Sequence, residues 1–195
     1  VLFAAACQQA ASPQKMTLKY PTPRKDATVD DYAGTKIADP YHWMESLDSK
    51  DPADWVAASN AVTEPYLASL PLREPLKKRL TELWNYQKYD VPFKEGGKYF
   101  YFYNTGLQNQ NVLYVQNALN AQARTPQART LLDPNTLSAD GTVALATLAV
   151  SPDGRYLGYA TAASGSDWNE IAVRDVATGK DLPDRVRWAK FSAIS

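Results

Sequence analysis

Gly97-Lys98-Tyr99-Phe100-Tyr101-Phe102-Tyr103 and Gly154-Arg155-Tyr156-Leu157-Gly158-Tyr159 are the two runs on which the fold turns. Each opens with Gly, a basic residue, Tyr and a large apolar residue, and each reads as a strand leaving a tight turn. The first is followed by Val112-Leu113-Tyr114-Val115 and the second, at nearly the same separation, by Ile171-Ala172-Val173-Arg174. Arg129-Thr130-Leu131-Leu132 adds a further strand to the first unit, and Asp133-Pro134-Asn135 closes it. Leu148-Ala149-Val150 and the turn Ser151-Pro152-Asp153-Gly154 open the second.

A repeat of about 40 to 50 residues or slightly more, built of several short strands, is the pattern of β-propeller blades. Two blades do not close a ring, which needs roughly 4 to 8. Trp188 to Ser195 then reads as the opening strand of a third blade, and the chain as part of a larger protein.

Upstream of Tyr89 the period is helical. Residues 8 to about 28 form a polar, Pro-containing lead-in, and residues 29 to 85 read as helix. Asp39-Pro40-Tyr41-His42-Trp43-Met44-Glu45 supplies an N-cap and a Pro at the first helical position. Ser49 to about Leu70 is a longer helix, with Pro65 placed to kink or shorten it. Leu72, Leu76, Leu80 and Leu83 then form the stripe of an amphipathic helix ending near Trp84.

Composition narrows the chemistry. The 195 residues carry 21 Lys and Arg against 21 Asp and Glu, so the formal charge is zero. A nucleic-acid binder would normally show a basic excess. One Cys and one His exclude an internal disulfide and a Cys/His zinc cage. No Gly-x-Ser-x-Gly elbow, phosphate loop or dinucleotide fingerprint occurs. Ser166 in Ser164-Gly165-Ser166-Asp167 reads as part of an inter-strand loop. Ser12 and Lys15 match a Ser-x-x-Lys spacing inside a linker. His42 reads as a packing or surface residue, and Asp30-Asp31 and Asp181/Asp184 as turns and caps rather than paired glycosidase carboxylates. The Tyr99–Tyr103 ladder reads as blade core and surface, not as a base-stacking platform. No cofactor is expected.

Val1-Leu2-Phe3-Ala4-Ala5-Ala6-Cys7 is too short to span a bilayer. It resembles the end of a bacterial lipoprotein signal, with Ala4 where such signals usually carry Leu. An ordinary export signal and an apolar start without meaning are the alternatives. The lipoprotein reading makes Cys7 a lipidation site and membrane attachment point, and places the protein in the bacterial cell envelope, periplasmic or lipid-anchored.

Longer motifs carry a family resemblance. Asp30-Asp31-Tyr32, Ala38-Asp39-Pro40-Tyr41-His42-Trp43-Met44-Glu45 and Leu80-Thr81-Glu82-Leu83-Trp84-Asn85-Tyr86 resemble the opening of prolyl oligopeptidases. So do Tyr103-Asn104-Thr105-Gly106-Leu107-Gln108-Asn109-Gln110, Asp140-Gly141-Thr142-Val143 and Ala163-Ser164-Gly165-Ser166-Asp167-Trp168. The resemblance implies a serine peptidase that cuts after Pro in short peptides, in which a seven-bladed propeller caps an α/β-hydrolase domain. The expected architecture is an α+β fragment. Residues 1–19 are a signal remnant and linker, and 20–87 a helical segment that packs on the hydrolase domain. Residues 88–195 are blades 1 and 2 with the start of blade 3. The hydrolase domain would be the missing partner. No triad residue carries over. Phe191, in Lys190-Phe191-Ser192, resembles a residue lining the family's substrate cavity, with plain blade packing as the alternative. Asp167 and Trp168 lie in a loop near that cavity. Two rival functions are a free-standing binding or scaffold protein and an oligopeptidase B-like enzyme.

Overall fold

The computed structural model describes residues 17–46, 48–118 and 128–195. Cys7, Ser12 and Lys15 lie outside them. The chain divides into two compact units, 1–77 and 78–195.

The first unit opens with an extended strap. Trp43 Nε1 donates to the Arg24 carbonyl (2.9 Å) and Trp55 Nε1 to that of Pro21 (3.4 Å). The Arg24 guanidinium lies 4.9 Å over the Trp43 ring and pairs with Asp51 at 2.7 Å. Next comes a hairpin, β1 (Val29–Tyr32) and β2 (Thr35–Ala38). This corrects the helical reading of these residues. Ala33 and Gly34 have φ of 53° and 91°, as a two-residue turn with two left-handed positions needs. The Asp31 carboxylate accepts the Gly34 amide at 2.6 Å. Asp39 accepts the Tyr41 amide, but the segment that follows is a single 3₁₀ turn, His42–Glu45, whose N-cap is Tyr41 and not the expected Asp39.

Helix α1 (Lys50–Ala68) contains Pro65 and ends three residues beyond it; proline lacks the N–H that would bond the carbonyl four residues back. Helix α2 (Arg73–Trp84) carries the expected leucine stripe, yet Leu72, Leu76, Leu80 and Leu83 are all more than half exposed. Pro52 is the only buried residue among those described before Phe100.

The second unit holds two antiparallel sheets. In the first, β5 (Lys98–Asn104), β6 (Val112–Gln116) and β7 (Arg129–Leu132) lie in order. The other edge of β5 is shared by β3 (Lys88–Tyr89) and β4 (Phe93–Glu95). These are two halves of one strand position. Tyr89 opposes Tyr103 and Phe93 opposes Phe100, so the β3–β4 side has one extra residue, a bulge around Asp90-Val91-Pro92. Pro92 cannot donate to a ladder and sits where none is required.

The second sheet is a meander of β8 (Val143–Val150), β9 (Tyr156–Ala163), β10 (Trp168–Asp175) and β11 (Asp181–Lys190). Both sheets are four strands wide, and the repeat seen in the sequence maps β5 onto β9 and β6 onto β10. Phe100 and Leu157, equivalent in the repeat, are both 0% exposed. One expectation changes. Trp188–Lys190 complete β11 instead of opening a new sheet, and residues 191–195 have no regular structure. Ile194 lies over Gly158, where a Cβ would come within 2.9 Å of its methyl.

The core is the layer between the two sheets. Phe100, Leu113, Val115, Leu131 and Leu132 of the first meet Leu157, Tyr159 and Ala172 of the second. Polar groups stitch its margin. Gln110 donates through Nε2 to the Val143 carbonyl (2.8 Å) and accepts the Leu145 amide at Oε1 (2.9 Å), so a side-chain amide takes the place of a strand. Asn135 returns the pattern, accepting the Gln110 amide and donating to the Gln110 carbonyl, each at 2.9 Å. The hairpin turns also stack. A Cβ on Gly96 would meet the Asp153 backbone at 2.3 Å, so only Gly allows this approach. Lys98 Nζ donates to the Gly154 carbonyl at 3.2 Å.

Gln110→Ala removes both side-chain bonds to β8. It should lower stability by about 2 kcal/mol, read as a shift in the urea midpoint of the intact protein at unchanged slope. A shift no larger than that of an exposed control such as Lys36→Gln would refute the stitch.

Candidate functional site

Phe191 is distant in sequence from the neighbours Asp167 and Trp168, and the register of β10 on β11 brings them together. Trp168 pairs with Lys190 and Asn169 with Ala189. Lys190 sits at the centre, its Nζ 5.2 Å from the Trp168 ring, 5.0 Å from the Phe191 ring and 3.4 Å from the Asp167 carboxylate. Trp188 meets Trp168 edge to face at 5.8 Å. Beside this pair, Thr161, Trp168, Glu170, Arg187 and Trp188 line a recess of about 360 Å³. Phe191 is 83% exposed and Trp188 76%.

Backbone strain marks the same place. Trp188 and Phe191 have φ of 60° and 51°. Bulky residues rarely adopt this region, at a cost on the order of 1–3 kcal/mol each. A register shift between Asn169 and Ile171 puts an extra β11 residue opposite β10 next to Trp188. The bulge re-aims the strand end and turns its rings outward.

The Ser164–Asp167 loop is a tight turn, with Ser164 and Gly165 at φ of 51° and 75°. Ser166 Oγ accepts the Trp168 amide at 3.1 Å, the geometry of a turn acceptor. His42 belongs to the first unit, where its Nδ1 lies 3.2 Å from Asp39, 3.8 Å from Asp30 and 4.0 Å from Glu45. Tyr89, Tyr101, Tyr103 and Tyr114 form a ring cluster across one face of the first sheet, with Tyr89–Tyr103 and Tyr101–Tyr114 stacked and Tyr103–Tyr114 edge to face.

An ion network runs along the same two strands toward their other end. Asp181 accepts from Arg174 Nε (2.6 Å) and from the Tyr159 hydroxyl (2.7 Å), and Arg185 lies 3.5 Å away. Arg174 also donates to the Leu131 carbonyl in the first sheet at 2.7 Å, which ties the two sheets together. Glu170 pairs with Arg185 and Arg187. Burial pushes the Asp181 carboxyl up, but the bonds from Arg174 and Tyr159 and the charges of Arg174 and Arg185 outweigh it and hold it below its ordinary value.

Residues 20–195 match the family model described as the prolyl oligopeptidase N-terminal β-propeller domain. The chain belongs to the prolyl oligopeptidase family. Among its relatives, the prolyl endopeptidase of Elizabethkingia meningoseptica is 41% identical over 179 residues, covering 91% of this chain and 24% of the relative. Prolyl oligopeptidase A of Amanita bisporigera is 34% identical over 197 residues, covering 90% and 26%. A solved prolyl endopeptidase superposes with a TM-score of 0.68 at 34% identity, covering 87% of this chain and 24% of that one. Prolyl oligopeptidase B of Galerina marginata, solved with a 35-residue hydrolysis and macrocyclization substrate, gives 0.68 at 30% identity over 90% and 27%. The chain thus spans about a quarter of the length of the relatives it matches. What it presents is part of the prolyl oligopeptidase propeller, with the aromatic corner at one end of its second sheet.

A carboxylate held below its ordinary pKa stabilises the fold fully above the unfolded value of 3.8 and loses that contribution as pH falls through the folded value. Wild type should therefore lose stability below about pH 4 more steeply than Asp181→Asn. Urea midpoints of both proteins from pH 6 to pH 3 check this. Parallel curves would show that Asp181 is not part of the acid response.

Proposed function

We propose that this chain is the N-terminal propeller portion of a serine endopeptidase that hydrolyses peptide bonds after proline in short peptides. The observation that carries the reading is family membership over residues 20–195, with relatives named prolyl endopeptidase. The sequence contains one His and no Gly-x-Ser-x-Gly elbow, so nucleophile, base and acid are assigned to an α/β-hydrolase portion outside this chain. The propeller's role is then access and contact. Phe191 is assigned to the substrate side, where an exposed ring on a strained strand end is available to a peptide side chain. The leucine face of α2 is assigned to the boundary with the hydrolase portion, since an amphipathic helix needs a surface for its apolar side.

In the intact protein, Phe191→Ala should lower kcat/KM on a proline-linked chromogenic peptide roughly tenfold, mainly through KM, at unchanged melting temperature. The 195-residue chain alone should bind a hydrophobic dye and show no hydrolysis. Turnover by the chain alone, abolished by a serine-reactive inhibitor, would overturn the division of labour. Unchanged kinetics in Phe191→Ala would remove that residue from the substrate side.

The segment ending in Cys7 supports a second assignment, lipidation and attachment to the bacterial cell envelope. The intact protein expressed from its own signal should partition into detergent, and Cys7→Ala should move it to the aqueous phase. Equal partition of the two would dismiss the anchor.

A further inference from the structure

We propose that Asp30, Asp39 and His42, with Glu45 as a fourth donor, bind one divalent transition-metal ion, Zn²⁺ being the best match. One oxygen from each Asp and one His nitrogen lie within 4.8 Å of one another. Around His42 Nδ1 the carboxylate oxygens stand at 3.2, 3.8 and 4.0 Å. Two ligands each about 2.1 Å from a tetrahedral Zn²⁺ are about 3.4 Å apart. The three donors therefore stand from near that spacing to somewhat beyond it, and rotamer changes of Asp30 and Glu45 would draw the shell closed.

Local structure explains the convergence. Residues 42–45 form a 3₁₀ turn, in which positions three apart eclipse. Asp39, His42 and Glu45 follow that spacing and line one face. Asp30 arrives from the hairpin, whose register is fixed by the Asp30↔Ile37 pairing and by the Asp39 amide donating to the Thr28 carbonyl at 3.0 Å. Asp39 Oδ1 accepts the Tyr41 amide at 3.2 Å, which leaves Oδ2 directed at the imidazole. A ligand oriented by a second hydrogen bond is the usual support of a metal site.

Charge supports the same assignment. Three carboxylates face one imidazole, so the cluster stays negative even when His42 is protonated. Nearby cations are engaged elsewhere: Arg24 with Asp26 and Asp51, Lys36 with Asp31, and Lys25 over the Tyr41 ring. Among the described residues, no Lys or Arg lies within ion-pair distance of Asp30, Asp39 or Glu45. The mixed nitrogen and oxygen donors favour Zn²⁺ over Mg²⁺, which prefers oxygen ligands in an octahedron. Bound there, the ion would pin the hairpin to the turn that leads into α1.

The test is calorimetric titration of the chelator-treated intact protein with Zn²⁺, together with its melting temperature and the visible absorption of Co²⁺ in the same site. Expected are one saturable site, a melting temperature that rises with occupancy, and a Co²⁺ band. His42→Gln and Asp39→Asn should each weaken Zn²⁺ binding at least roughly tenfold and abolish the Co²⁺ band. Both positions are solvent-accessible, so circular dichroism should stay unchanged, and Asp30→Asn provides a third variant. Absence of saturable Zn²⁺ binding would overturn the site. So would equal affinity for Mg²⁺, or full Zn²⁺ affinity in His42→Gln, either of which would mark a diffuse counter-ion cloud.

Discussion

The apolar layer between the two sheets is the constraint on which the rest of the second unit depends. Each sheet alone is a short meander with one face that must leave water. Phe100 and Leu157, the same position in consecutive repeats, meet there with no exposure at all. Burying two such side chains contributes several kcal/mol, by order of magnitude. The layer also sets register, because a one-residue slip would turn the apolar row of β5 or β9 to the other face. Gln110, Asn135, Lys98 and Arg174 then act at the margins of a layer already in place, fixing how one sheet sits on the next.

The first unit is built on a different principle. It has almost no buried side chains, and its order comes from directional contacts: two indole N–H donors on the strap, Arg24 between Trp43 and Asp51, and a hairpin with a tight turn. Such contacts contribute on the order of 1 kcal/mol each and do not replace a core. The regular leucine spacing on α2 is a pattern that makes sense only for a helix with an apolar neighbour.

Much of this was legible in the sequence. The Gly-basic-Tyr-apolar repeat identified the two sheets, and the leucine spacing located α2 almost to the residue. The β1–β2 hairpin was misread as helix because its turn is Ala33-Gly34, without the Asn-Gly or Asp-Gly that announces a two-residue turn, and because Asp30-Asp31 blurs the alternation. The end of β11 was misplaced for a related reason. Two irregularities in its pairing with β10 lengthen the strand beyond what periodicity suggests. Phe191 was singled out by family resemblance. Lys190 was not, since its contacts with Trp168 and Asp167 exist only once the register is known. The same holds for His42, which meets Asp30 only because the hairpin folds back.

The course of β11 gives the aromatic corner its meaning. As the outer strand of its sheet it presents unpaired backbone groups, and over its first part it carries the devices that keep such an edge from pairing with another chain. Pro183 cannot donate, an irregularity lies between the partners of Ala172 and Arg174, and Arg185 and Arg187 supply charge. At Trp188 these protections stop. Residues 188–191 include two large rings, Trp188 and Phe191, that are mostly exposed, both on backbone held in a strained region. Aggregation risk and strain both weigh against such an arrangement on a surface that meets only water. An edge defended over most of its length and left apolar at one end is best explained by something that covers that end.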